Sequence, residues 1–226
     1  YQYQWLINKA ISIIKPAIKK TVTHINEIDL IVADSYYALG NQYYYLSKVD
    51  SNLICWEKTL EIRKEIFEEK HERMAHIYNA MGLVYNTKSE YNKALEYYFK
   101  SLEIIKELFG DNNFYVATLY NNIGIIYDDK TEYDKALEYY FKSLELSIEL
   151  FGEKDIDVAL SYKNIACTYI NKQENDKALQ YSFKALEIEK EVLGEKHYDV
   201  AESYINIGVV YDHIFEYDKA LEYYFK

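Results

Sequence analysis

The sequence predicts an all-α fold, a right-handed superhelical solenoid of stacked antiparallel helix pairs. Three observations predict it. A small residue recurs at Gly40, Gly82, Gly124, Ala166 and Gly208, at steps of 42 residues. An aromatic follows three positions later at Tyr43, Tyr85, Tyr127, Tyr169 and Tyr211, and a second small residue returns at Ala94, Ala136, Ala178 and Ala220. Each period also holds two stretches with apolar residues at helical spacing. Self-similarity at such a period marks a repeat architecture. One helix pair cannot bury its apolar face alone, so neighbouring pairs must stack. First helices are expected inside the curve and second helices outside.

Residues 1–226 are read as a single array. Residues 1–26 look like the end of a preceding repeat, because Asn8-Lys9-Ala10 lies two periods before Asn92-Lys93-Ala94. Pro16 interrupts that stripe, and a mid-helix proline removes a backbone hydrogen bond, so a bent helix is expected there. Full repeats follow at 27–68, 69–110, 111–152 and 153–194, and 195–226 is a truncated repeat. The chain begins with Tyr and stops inside a repeat, so a piece of a longer protein is expected.

In the third repeat the first helix is expected from about Asn113 to Asp129 and the second from about Glu132 to Phe151. Tyr120, Ile123, Gly124 and Tyr127 mark one face, and Ala136, Tyr140, Ser143 and Leu144 mark the facing stripe. Gly124 and Ala136 are read as the closest approach of the two axes, with Tyr127 filling the gap beside it. Thr131 with Asp134, and Ser89 with Asn92, read as capping boxes. Gly110, Gly152 and Gly194 end the second helices. Two repeats depart from the grid. The first has Asn52 and Trp56 where Ala and Tyr are usual. The fourth has Ala166 for Gly, Asn175 for the Tyr at 91, 133 and 217, and Ser182 for the Tyr at 98, 140 and 224. Its joint is expected to be the loosest.

The run Tyr120-x2-Ile123-Gly124-x2-Tyr127 followed by Ala136-x3-Tyr140 resembles the tetratricopeptide repeat, with Tyr replacing the usual Trp and Phe. HEAT and armadillo arrays have similar periods but not this Gly/Tyr/Ala grid. The longer period and the LGEKHYDVA junction look most like the kinesin-light-chain type. The junction proline of that type is replaced by Tyr115, Ile156 or Tyr198.

The resemblance implies a ligand groove lined by the first helices. Register places Asn122, Asn164 and Asn206 two residues before the small position, and Asn79, Asn121 and Lys163 three before it. Asp128, Asp129 and Asp212 lie four and five after it. An amide ladder offers a donor and an acceptor at each step, which suits a peptide backbone of any sequence. The alternative is that these amides satisfy neighbouring helices or face water. The carboxylates would favour a partner with basic side chains, or are simply solvated. Lys163 stands nearly alone, so capture of a C-terminal carboxylate is disfavoured. In Tyr97-Tyr98-Phe99 and Tyr139-Tyr140-Phe141 the three side chains fan out by about 200°. Coverage of the outer ring by the next repeat is favoured over an exposed apolar ridge.

The net charge of −11 disfavours nucleic acid, whose phosphates need clustered Lys and Arg. No apolar run approaches a membrane span. Cys55 and Cys167 fall on unrelated repeat positions and read as buried thiols in a reducing, cytoplasmic setting. His71 and His76 have the wrong spacing for a helical metal pair, and no phosphate loop or nucleophile elbow occurs. No catalytic, cofactor or metal residues are therefore expected. The reading is a scaffold binding an extended peptide or partner helix. A second reading is the regulatory or architectural arm of a larger multidomain enzyme or signalling protein. A third is end-to-end self-association through the open end face.

Overall fold

The computed structural model describes residues 25–67 and 70–226, so the bend expected at Pro16 lies outside the described residues. Among the described residues the secondary structure is ten helices and no strand. They are α1 (Ile25–Tyr45), α2 (Val49–Ile66), α3 (Glu72–Thr87), α4 (Tyr91–Phe109), α5 (Phe114–Asp129), α6 (Tyr133–Phe151), α7 (Ile156–Asn171), α8 (Asn175–Leu193), α9 (Tyr198–His213) and α10 (Tyr217–Tyr224). The chain divides at Leu108–Phe109 into two compact units. The first holds the pairs α1–α2 and α3–α4, and the second holds α5–α6, α7–α8 and α9–α10. In each unit successive pairs stack, as the all-α solenoid reading requires. The expected bounds of the third repeat hold to within a residue at each end.

The small position is dictated by a ring as much as by the helix axes. A Cβ on Gly124 would sit 2.6 Å from Cε1 of Tyr140, and one on Gly82 would sit 2.5 Å from Cε1 of Tyr98. The aromatic sixteen residues on therefore lies across the bare backbone of the first helix. Burial drives the Tyr98 and Tyr140 phenols well above the ordinary tyrosine range. The fourth repeat changes both partners together: Ala166 has a Cβ, and Ser182 has no ring for it to meet. Ser182 is buried, and its Oγ has no hydrogen-bond partner. In the first repeat Trp56 takes the ring's place and donates from Nε1 to the Tyr37 carbonyl at 3.3 Å. Asn52 donates to the Gly40 carbonyl at 2.7 Å. A second tie joins the first three pairs: Ser101 Oγ donates to the Ala75 carbonyl at 2.8 Å, and Ser143 Oγ to the Ala117 carbonyl at 2.9 Å. Thr59 does the same to Ala33 at 3.3 Å. The fourth repeat has Ala185 at this register and lacks the tie.

Tyrosines also form a column in the second to fifth repeats. Tyr97, Tyr139, Tyr181 and Tyr223 stack on Tyr85, Tyr127, Tyr169 and Tyr211, with centroids 5.4–5.6 Å apart. Lysines close the columns, with Lys142 Nζ 4.7 Å from the Tyr139 centroid and Lys135 Nζ 5.3 Å from that of Tyr127. Phe141 of the second trio packs edge-on against Tyr181 of the next repeat, as expected, and Phe183, at the same register, packs against Tyr223.

The turns inside the pairs correct the capping-box expectation. Ser89 and Thr131 are not N-caps; they sit in the left-handed region with φ of 58° and 59°. Ser47, Gln173 and Phe215 share that conformation one or more periods away. Thr131 N–H reaches the Asp128 carbonyl at 2.8 Å, and Glu132 N–H reaches that of Tyr127 at 2.8 Å. These two bonds define a Schellman end, which satisfies orphan carbonyls of the first helix. The hydroxyl side chains are incidental. Side-chain N-caps occur instead at the junctions between pairs. Asn113, Asp155, His71 and His197 each accept from the backbone N–H two residues on. Gly152 follows α6 with φ 88° and ψ 168°, a region open in practice to glycine alone.

Candidate functional site

In the second unit the first helices α5, α7 and α9 carry the polar register positions. Asn164 Nδ2 donates to Asn121 Oδ1 at 2.7 Å, joining α7 to α5. Asn171 Nδ2 donates to Asp128 Oδ2 at 3.2 Å across the same seam. Both bonds span 43 residues, so each links one row of the register to the adjacent row of the next repeat. The amide ladder is thus partly cross-linked to itself. Asn122, Asn164 and Asn206 are all half-buried, and each lies one turn or less from the buried Ile123, Ile165 and Ile207. In the first unit Asn79 is likewise half-buried on α3.

The carboxylates differ from one another. Asp129 and Asp212 are exposed. Asp128 is half-buried, and burial pushes its carboxyl above the usual range, with Asp129 beside it adding to the effect. Its Oδ1 is shielded and has no hydrogen-bond partner.

Lys163 is committed to an ion cluster. It pairs with Glu202 on α9, and its Nζ lies 3.5 Å from Glu189 on α8. Glu189 is 1% exposed and accepts from Ser203 Oγ at 2.5 Å. Burial opposes the Lys163 charge, but the two carboxylates outweigh it and hold its ammonium above the usual lysine range. Burial likewise pushes the Glu189 carboxyl up. A cation held this way is a structural element of α7–α9 rather than a free hook for a ligand.

The first unit has its own network, which the sequence reading missed. Arg73 Nη1 donates to both carboxylate oxygens of Asp34 at 2.8 and 2.7 Å, and Arg63 reaches Asp34 Oδ1 at 3.0 Å. Arg63 is 4% exposed, caps the Arg73 carbonyl at 2.8 Å and lies 4.9 Å over the Tyr37 ring. Burial would raise the Asp34 carboxyl, yet the two guanidiniums hold it below the ordinary value. The available signal was that Arg63 occupies the register of Ile105, Ser147 and Glu189.

Clefts open between successive turns in both units. In the second unit one of about 580 Å³ lies between Ile170, Asn171 and Asn175 on one side and Asp212, Phe215 and Tyr217 on the other. In the first unit one of about 360 Å³ is lined by Tyr44, Tyr45, Val49, Asn52 and Val84. They occupy the same place in the repeat, and in both the residue opening the second helix is Val49 or Asn175 rather than the Tyr of 91, 133 and 217. Cys55 is buried, which pushes its thiol up to about 11, and burial also raises Cys167. Among the described residues no group of His, Cys, Asp and Glu is arranged to hold a metal ion, and no helix is long and apolar enough to cross a membrane.

Residues 31–107, 73–146, 115–181 and 157–224 each match the model of the tetratricopeptide repeat. The chain belongs to the tetratricopeptide repeat family. No curated protein matches it in sequence. Among solved structures, this tetratricopeptide chain is similar to BtubC (BKLC) from P. vanneervenii, at 22% identity over 99% of this chain and 88% of that one, with a TM-score of 0.77. It is similar to the Podosopora anserina repeats described as nearly identical, TPR-like and of kinesin light chain, at 13% identity over 84% and 90%, with a TM-score of 0.71. A Rap protein complexed with Competence and Sporulation Factor matches at 18% identity over 96% of this chain and 57% of that one, with a TM-score of 0.71. At these identities the likeness concerns the fold, and it agrees with the kinesin-light-chain-like form of the tetratricopeptide repeat.

Proposed function

We propose that this tetratricopeptide array is a protein-interaction scaffold that takes an extended peptide or a partner helix along its first helices. The observation that carries this reading is the row Asn122, Asn164 and Asn206, one half-buried amide at constant register in each of the last three repeats. The hydrophobic core does not need an amide there, since the first and second repeats place Ala38 and Ala80 at the same position. An amide row at constant rise can pair with the backbone of an extended chain whatever its side chains. Asn121 and Asp128 flank the row, Asn79 holds the register of Asn121 in the first unit, and Asp129 and Asp212 supply exposed negative charge that favours a basic partner. The Rap protein complexed with Competence and Sporulation Factor lends support as a fold relative with a bound partner. Lys163 belongs to the support of this surface, through its pairs with Glu189 and Glu202.

The test is the double substitution Asn122→Ala with Asn164→Ala. A ligand selected from a displayed peptide library on the intact chain is expected to bind the variant about tenfold more weakly, the loss of roughly one to two hydrogen bonds. The helical circular dichroism signal is expected to persist. Unchanged affinity would remove the ladder from the site.

A further inference from the structure

We propose that the third helix pair and the first helix of the fourth enclose a lysine pocket, a subsite for one ammonium-bearing side chain of the bound polypeptide. The inference deepens the groove reading and rests on it for the source of the lysine, because Asn121 belongs both to the pocket wall and to the first-helix register.

The pocket lies within the second unit, between α5, α6 and α7, and holds about 170 Å³. One short side chain leaves it open. At this register the other second helices insert Arg63, Ile105 and Glu189, all buried or nearly so, whereas α6 offers only Ser147. Where the inserted group is charged, a first helix meets it with the opposite charge. Arg63 meets Asp34, and Glu189 meets Lys163. The third repeat keeps a charge in the wall but has no counterpart on α6. Asp157, at the register of Arg73, is a half-buried carboxylate of the lining, and no cation of the described residues pairs with it. Burial and the neighbouring Asp155 both push its carboxyl above the usual range. An incoming cation would therefore neutralise a charge that the protein leaves uncompensated.

The other walls select a donor. Thr118 Oγ1 donates to the Phe114 carbonyl at 3.1 Å, Ser143 Oγ to the Ala117 carbonyl at 2.9 Å, and Ser161 Oγ to the Asp157 carbonyl at 3.0 Å. With their protons committed, these hydroxyls have only lone pairs to offer. Asn121 Oδ1 accepts one bond from Asn164 and keeps a second lone pair. Oxygen acceptors spread over α5, α6 and α7 suit the rotatable donors of a compact ammonium better than the rigid planar fork of a guanidinium. Phe114 and Leu160 also line the pocket and are each 45% exposed, so apolar surface is available to a methylene stem. At roughly 30 Å³ per water the volume equals about six waters, enough for a lysine side chain and tight for an arginine.

The experiment titrates the chain with the peptide acetyl-Gly-Lys-Gly amide and reads backbone amide chemical shifts. Parallel titrations replace the lysine by norleucine, which keeps an aliphatic stem without the charge, and by arginine. The lysine peptide is expected to shift Asn121, Ser147 and Asp157 saturably at roughly millimolar concentration, the range open to a single side chain. The norleucine peptide is expected to bind at least about fivefold more weakly, and the arginine peptide about threefold more weakly. Ser147→Ile installs the residue of the second repeat and fills the space, so it is expected to keep or raise the melting temperature while abolishing the shifts. Asp157→Asn is expected to weaken lysine binding at least about fivefold. Absence of saturable shifts at these residues, norleucine or arginine binding as tight as lysine, or lysine binding that survives Ser147→Ile would each overturn the proposal. Failure of this titration leaves the Asn122/Asn164 test of the groove standing. If that test fails while the lysine peptide still binds at Asp157, the pocket stands without the amide row.

Discussion

At the residue scale the array is governed by pairs, not by single conserved-looking positions. Gly124 is bare because Tyr140 lies across it, and Ala166 is tolerated because Ser182 has no ring. Two of the three departures of the fourth repeat, Ala166 and Ser182, are one exchange seen from two sides. Gly124→Ala is expected to destabilise by about 1–3 kcal/mol through overpacking, and Tyr140→Ser by about 3–5 kcal/mol through cavity formation. The double variant Gly124→Ala with Tyr140→Ser reproduces the fourth repeat and is expected to cost at least about 1 kcal/mol less than the sum. Urea denaturation of the four proteins measures the coupling. Simple additivity would mean that the ring does not dictate the glycine.

At the element scale each helix pair is closed by backbone geometry. The Schellman end places a side-chain-bearing residue in the left-handed region at Ser47, Ser89, Thr131, Gln173 and Phe215. No glycine marks these turns, and that misdirected the sequence reading toward a capping box at Thr131. A β-branched residue is the worst suited of the five to this conformation. Thr131→Gly is therefore expected to raise stability by about 0.5–1 kcal/mol, the relief of strain exceeding the added chain entropy of glycine. A melting temperature below that of the parent protein would show that the hydroxyl does cap the helix. Gly152 is the reverse case. A Cβ there would meet nothing within 4 Å, so the requirement is set by its φ of 88° alone.

At the scale of the whole molecule stability is a sum of pair and neighbour terms, and those terms are uneven. The pair α7–α8 lacks both the ring across the glycine and the hydroxyl tie that Ser101 and Ser143 supply. It has in compensation an ion cluster in which Glu189 is buried, Lys163 largely so and Glu202 partly exposed, and buried charges add less to stability than the apolar contacts they replace. Native-state amide exchange is expected to be faster in α8 than in α6. Slower exchange in α8 would show that the ion cluster is the stronger joint.

The sequence by itself determined the architecture. A 42-residue period with helical spacing inside it leaves few ways to bury its apolar faces, because every unit presents the same face and only stacking covers it. It also located the polar register of Asn122, Asn164 and Asn206, since position within a helical repeat implies a side of the helix. Only the tertiary structure decided how those side chains are used. Whether Lys163 is a ligand hook or half of a buried ion pair depends on Glu189 and Glu202, residues 26 and 39 positions away that one-dimensional periodicity does not bring together. The cleft at Asn175 is of the same kind. A missing ring is visible in sequence, but what it leaves open is decided by the walls that the next repeat brings to face it.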